Sequence, residues 1–140
     1  MQNPVAESKN NYVAARLKAM YSKPFYVSLW ARIRLGHAGY DFVEQHVPSS
    51  GKVLDLGCGY GLFCNYLGLT SEQRRVTGVE LNGRKLRHAD KGLKNVSFKN
   101  SDILAEPVTD YYDCIVLLHV LHHLKSFMEQ EAIVSKCVQM

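Results

Sequence analysis

The 140-residue chain is 46% hydrophobic and 21% charged, the composition of a globular domain large enough to bury a core. A net charge of only +4, with plentiful apolar residues, excludes an intrinsically disordered chain. No window approaches the roughly 18 unbroken apolar residues of a membrane span, and the polar N-terminus lacks the layout of a signal peptide. The four cysteines are scattered without a CxxC pair, at Cys58, Cys64, Cys114 and Cys137. We therefore expect a reduced, cytoplasmic protein with neither a disulfide framework nor a metal site.

Residues 1–50 are predicted to form a helical cap or lid region. The polar stretch 1–11 indicates a frayed tail, and three helices separated by Pro24 and ended by Pro48 follow it. Their apolar residues recur at helix spacing at Val13 and Leu17, at Leu29 and Ile33, and at Tyr40, Val43 and Val47. The region carries six basic and three acidic side chains. We interpret this charge as a solvated face, because no run of basic residues forms a stripe.

Residues 51–140 alternate short apolar runs with helical stretches. The runs lie at 53–56, 76–80, 96–98 and 114–121, and the helical stretches at 62–69, 84–91 and 127–138. This alternation predicts an α/β fold, with a Rossmann-like parallel sheet and helices on both faces. The last run is nearly all apolar, as expected of a parallel strand buried on both faces.

A glycine-rich loop follows the first predicted strand. It reads Asp55-Leu-Gly57-Cys-Gly59-Tyr-Gly61, and Glu80 ends the next strand nineteen residues later. Glycines at such a turn let a ligand approach the backbone, and a carboxylate after the second strand can accept bonds from both ribose hydroxyls. Together they indicate a nucleoside cofactor. The pattern is GxGxG rather than the GxGxxG of dinucleotide sites, because Leu62 occupies the third glycine position.

These motifs resemble those of class I S-adenosylmethionine-dependent methyltransferases. The resemblance covers residues 52 to about 124 and includes Ser101-Asp102 after the third strand and Asp113 before the fourth. It implies S-adenosyl-L-methionine as the cofactor and a sheet in the order 3-2-1-4. The family sheet has three further strands, 5 to 7, so we expect this chain to be the N-terminal part of a longer enzyme. Strand 4 would then be an apolar edge through which the chain self-associates.

The resemblance also implies which residues bind the cofactor. Glu80 would hold the ribose, Asp55 would lie near the amino group, and Asp102 would accept a bond from the adenine amino group. Asp55 could instead only brace the loop, and Asp102 could only cap a turn. The full set is Asp55, Gly57, Cys58, Gly59, Gly61, Glu80, Leu81, Ser101, Asp102, Ile103 and His119.

The expected reaction is methyl transfer to a small-molecule acceptor. If the acceptor needs a base, the candidates are His119, His122 and His123, although a histidine here could instead brace the turn. Residues 1–50 hold seven of the fourteen aromatic residues, which favours an apolar or aromatic acceptor unless these rings simply pack the helices. Nucleic acid is disfavoured as a partner, because the segment 118–121 lacks the Asn/Asp-Pro-Pro-aromatic motif of nucleic-acid amino-methyltransferases. Two alternatives remain: a cofactor-binding module without turnover, and an NAD-dependent oxidoreductase.

Overall fold

The computed structural model of the chain describes residues 4–105 and 109–140. Its centre is a four-stranded parallel sheet in the order β3-β2-β1-β4. The strands are β1 (Gly51–Leu56), β2 (Arg74–Glu80), β3 (Val96–Asn100) and β4 (Cys114–Val116). This confirms the predicted α/β fold and strand order.

Six α-helices surround the sheet in the described part of the chain. They are α1 (Pro4–Met20), α2 (Phe25–His37), α3 (Tyr40–Glu44), α4 (Leu62–Thr70), α5 (Gly83–Leu86) and α6 (Phe127–Cys137), and a 3-10 turn spans Leu121–His123. The predicted tail was wrong for residues 4–11, which are helical; residues 1–3 lie outside the described residues. Pro4 suits the first turn of a helix, where its missing N–H costs nothing.

Three predicted elements are shorter than expected. The helix predicted to reach Val47 ends at Glu44. The helix predicted over 84–91 is a single turn, Gly83–Leu86, none of whose residues is buried. The strand predicted over 114–121 pairs with β1 only from Cys114 to Val116. The pairing stops one residue before the end of β1, after which the chain enters the glycine loop.

The sheet separates two apolar cores. Val53 of β1 faces the core shared with α1, α2 and α4, whereas Leu54 and Leu56 face the core that includes Ile133 of α6. This alternation is the period of two that a strand buried on both faces requires. The helices therefore lie on both faces, as predicted.

A buried arginine joins the N-terminal helices to the sheet. Arg74 begins β2 and is only 2% exposed. Its guanidinium donates to Glu44 Oε1 at 2.7 Å, to the Pro48 carbonyl at 2.6 Å and to Thr70 Oγ1 at 2.6 Å. Such a fork of charge-assisted bonds fixes the end of α3 against β2 and α4.

The buried face of α2 differs from the predicted one. Val27 and Ala31 are buried, whereas Leu29 and Ile33 are 48% and 56% exposed. The spacing predicted a helix correctly but could not say which side packs. Across residues 4–105 and 109–140, no helix combines the length and apolar character needed to cross a membrane.

Candidate functional site

A cleft of about 560 Å³ lies at the carboxyl ends of the strands, where open α/β sheets bind ligands. Its floor comes from the glycine loop and the residues after β2 and β3. Trp30, Arg34 and Tyr40, from α2 and the start of α3, form the opposite wall. Most of the predicted cofactor residues line it, namely Asp55, Gly57, Cys58, Gly59, Glu80, Leu81, Asp102, Ile103 and His119.

Main-chain hydrogen bonds anchor the glycine loop to β2. The N–H groups of Gly57 and Cys58 both donate to the Val79 carbonyl, at 2.7 and 3.0 Å. Gly59 has a φ of +59°, and a Cβ built on it would meet no described residue within 4 Å beyond its chain neighbours. Glycine is favoured here by its backbone conformation, and the space beside it is open for a ligand.

Glu80 is held at the floor by two main-chain donors. Its Oε2 accepts the Gly59 N–H at 2.9 Å and its Oε1 accepts the Asn82 N–H at 2.8 Å. An ionised carboxylate can accept about four hydrogen bonds. The carboxylate is therefore fixed in direction while retaining capacity for further donors.

Asp55 lies beneath the loop and is 2% exposed. Burial raises the pKa of its carboxyl to about 6; the bond from Cys64 Sγ, at 3.1 Å, works against the rise and the charge of Glu80 adds to it. A buried carboxylate is costly without a partner charge. A cation entering the cleft would relieve that cost.

The residues after β2 and β3 differ in what they offer a ligand. Leu81 is 66% exposed within the cleft, and Ile103 is buried at its edge. Asp102 Oδ1 accepts the Leu104 N–H at 2.9 Å, so the turn-capping alternative is present in the structure. Because a carboxylate has a second oxygen, this bond does not exhaust its accepting capacity.

Two predicted cofactor residues do not line the cleft. Gly61 packs inward, where an added Cβ would come within 2.8 Å of Phe98 and Ala89. Ser101 donates its N–H to the Glu80 carbonyl at 3.2 Å and so continues the β2–β3 connection. Both residues therefore lie next to the floor of the cleft without lining it.

The three predicted histidines all line the cleft beyond β4. His119 adopts a left-handed backbone with a φ of +58°, uncommon outside glycine. The His119 residue is exposed overall, but slight desolvation of its ring, with the charges of Arg34 and His122, lowers the pKa of the imidazole. This shift favours the uncharged ring, which is the form that can accept a proton.

Sequence reasoning missed part of the lining of the cleft. Tyr40 belongs to the N-terminal rings that were considered for the lid, but Arg34 and Lys85 of α5 also line the cleft and were not predicted to do so. Burial raises the pKa of the Tyr40 hydroxyl, and Arg34 partly opposes the rise. Of the seven N-terminal rings, Trp30 and Tyr40 line the cleft. Tyr21 is buried in the core, whereas the other four are more than half exposed, so the packing alternative does not explain them. Arg34 follows Trp30 by one helical turn, a spacing that could have suggested a shared face.

The chain is similar in sequence to known methyltransferases. The model of a family described as "Methyltransferase domain" matches residues 30–133. The putative methyltransferase 235L of Invertebrate iridescent virus 6 is 28% identical over 100 residues, which are 64% of this chain and 38% of the viral protein. The (S)-coclaurine N-methyltransferase of Thalictrum flavum subsp. glaucum is 30% identical over 89 residues, 60% of this chain and 25% of the plant enzyme. The chain thus spans well under half the length of these relatives.

Solved structures of similar fold include a coclaurine N-methyltransferase bound to N-methylheliamine and SAH. It superposes with a TM-score of 0.64 at 24% sequence identity. The match covers 73% of this chain and 32% of that enzyme. At this identity the likeness establishes a shared fold.

Proposed function

The chain belongs to the methyltransferase-domain family, and we propose that its cleft binds S-adenosyl-L-methionine for methyl transfer to a small molecule. One observation carries the proposal. Glu80 is fixed by the N–H groups of Gly59 and Asn82, beside a glycine whose Cβ position is open. Such a carboxylate suits two vicinal hydroxyls, and the open glycine leaves room for the ribose that carries them.

The floor offers complementary groups for the rest of the cofactor. The exposed Leu81 and the buried-edge Ile103 would cover the two adenine faces, and Asp102 would accept a bond from the adenine amino group. The methionine part carries both an ammonium and a carboxylate. Asp55 supplies a buried negative charge for the first, and Arg34 a guanidinium for the second.

The bound cofactor would supply an activated methyl group for in-line displacement. The chain's own task is then to bind, orient and desolvate the acceptor. We propose that residues 1–50 act as the cap, with Trp30 and Tyr40 favouring an apolar or aromatic acceptor. His119, or one of its neighbours His122 and His123, would take a proton from an acceptor that needs to lose one.

Four free thiols favour a reducing compartment such as the cytoplasm for this activity. Nucleic acid remains disfavoured as the acceptor in this proposal. An aromatic wall opposite a closed floor suits a compact molecule better than a charged polymer.

Titration calorimetry with S-adenosylmethionine, S-adenosylhomocysteine and NAD tests the proposal. We expect saturable one-to-one binding of the first two and none of NAD. Saturable binding of NAD without response to the sulfur compounds would contradict the proposal and favour an oxidoreductase. Binding of neither class would also contradict it, provided that the protein shows a cooperative thermal transition.

A further inference from the structure

The outward face of α2 carries an exposed apolar stripe. Phe25, Leu29 and Ile33 recur every four residues and are 80%, 48% and 56% exposed. The opposite side of the same helix is also apolar, with Val27 and Ala31 in the core. A helix that is apolar on both sides is normally covered on both sides, and contiguous apolar surface marks interaction sites.

The same segment of the chain is positively charged throughout. From Ser8 to Tyr40 there is no aspartate or glutamate, while six lysines and arginines occur. Arg32 follows Leu29 by three residues, so it lies beside the stripe on the helix surface. Lys23 precedes Phe25 by two residues, and both cations are exposed. The small net charge of the whole chain, +4, does not reveal that this segment is basic.

Two other occupants fit the stripe less well. A second copy of the chain would bring the same basic segment against itself, and like charges across an interface cost affinity. Nucleic acid would match the charge and could stack on Phe25, but the aliphatic side chains of Leu29 and Ile33, the other two members of the stripe, can neither stack on bases nor form hydrogen bonds with them.

We propose that the outward face of α2 docks this protein on an anionic membrane surface. Phe25, Leu29 and Ile33 would enter the boundary between headgroups and acyl chains, while Lys23 and Arg32 would contact the lipid phosphates. Trp30 follows Leu29 on the same helix and lines the cleft. Docking would therefore bring the cleft wall close to the membrane. The inference goes beyond methyl transfer and does not depend on it.

Vesicle flotation with the whole chain tests the docking. We expect the protein to float with phosphatidylcholine vesicles that contain about 30% phosphatidylserine, and to bind pure phosphatidylcholine at least about fivefold more weakly. Raising the salt from about 0.1 M to about 0.5 M should release it, because screening weakens the attraction to lipid phosphates. Equal binding to both vesicle types, or to neither, overturns the proposal.

Paired variants locate the docking surface. Leu29→Ser with Ile33→Ser should reduce binding to anionic vesicles at least about tenfold, since it removes the inserted side chains. Lys23→Gln with Arg32→Gln should reduce it about fivefold for each charge removed. The matched control is Met128→Ser with Val134→Ser, an exposed apolar pair on α6 (78% and 46% exposed), which should bind as the wild type does.

Three results overturn the assignment to this face. The first is a wild-type affinity in both α2 variants, with thermal melting unchanged. The second is a loss of binding in the α6 control equal to that in the α2 variants. The third is that Leu29→Ser with Ile33→Ser leaves vesicle binding intact but abolishes another association. That association would be either a concentration-dependent dimer or a complex with single-stranded RNA.

Discussion

The floor of the cleft and its opposite wall are held by different kinds of contact. On the floor, main-chain hydrogen bonds decide the geometry. The N–H groups of Gly57 and Cys58 donate to the Val79 carbonyl, and the Gly59 N–H donates to the Glu80 carboxylate. On the wall, ring packing decides it. Trp30 packs on Tyr60 with ring centroids 4.7 Å apart, and Tyr40 packs on Phe63 at 4.9 Å.

This difference suits the floor and the wall to two different tasks, holding the cofactor and selecting the acceptor. Main-chain donors are the same whatever side chains surround them, so the floor is suited to a ligand that does not vary. Side-chain packing changes with every substitution, so the wall is suited to setting which acceptor enters. Perturbing the floor should therefore affect cofactor binding far more than equal perturbations elsewhere.

The largest expected effect comes from a side chain in the open space of the floor. Gly59→Val should abolish S-adenosylmethionine binding, because the new side chain fills the space beside Glu80. Gly92→Val is a matched control: Gly92 also has a positive φ, of +73°, and its Cβ position is also open, but it lies outside the cleft. Calorimetry on both separates ligand overlap from backbone strain. Equal losses in the two variants would show that strain alone is responsible.

A large effect on stability is expected from the buried carboxyl of the floor. The folded-state pKa of Asp55, about 6, lies above its reference value of 3.8, so the folded protein holds this proton more tightly than the unfolded chain. The free energy of unfolding should then fall by about 3 kcal/mol as pH rises from about 3 to about 7, and stay low above that range.

Asp55→Asn removes this titration while keeping an acceptor for the Cys64 thiol. Urea unfolding of both proteins at several pH values measures the difference between them. The variant should gain about 3 kcal/mol of stability relative to the wild type between pH 3 and pH 7. A difference independent of pH would mean that Asp55 is not desolvated in the folded protein.

A smaller effect is expected at the ribose position. Glu80→Ala should weaken S-adenosylmethionine binding by about 1.5–3 kcal/mol, since it removes a charged acceptor and one anchor of the Gly59 turn. Glu72→Ala, at an exposed acid outside the cleft, should leave the dissociation constant unchanged. An unchanged constant for Glu80→Ala as well would exclude the ribose role.

The weakest effect is expected at the edge of the sheet. Among the described residues no strand pairs with the outer side of β4, although α6 covers one face, where Ile133 packs with Ile115 and Leu117. We predict self-association through this edge, seen as a sedimentation coefficient that rises with concentration. Leu29→Ser with Ile33→Ser should leave this rise unchanged. A monomer at every concentration would contradict the prediction.

The floor was predictable from sequence because its requirements are local. A turn between a strand and a helix needs glycines in a fixed order, and the next parallel strand must bring Glu80 to the same edge of the sheet. The structure brings Asp55, Gly59, Glu80 and Asp102 together there, as expected. Their roles toward a cofactor remain predictions.

The wall was not predictable in the same way. The periodicity of α2 fits a helix that buries either Leu29 and Ile33 or Val27 and Ala31, and only packing against α1 and the sheet chooses between them. Arg34 enters the cleft as a result of that choice. A single helical repeat contains no information about which neighbour it will meet.

The position of Arg74 has a consequence for how the molecule can come apart. Its guanidinium is bonded to Glu44, Val47, Pro48 and Thr70 while almost wholly buried. Cutting the chain near residue 50 and removing the helices would leave a charge in the interior with three of these four partners gone, a loss of about 3–5 kcal/mol. We therefore expect amide hydrogens of α1 and of β2 to exchange with solvent through one shared opening, so that the cap can neither detach nor be trimmed away while the sheet stays folded.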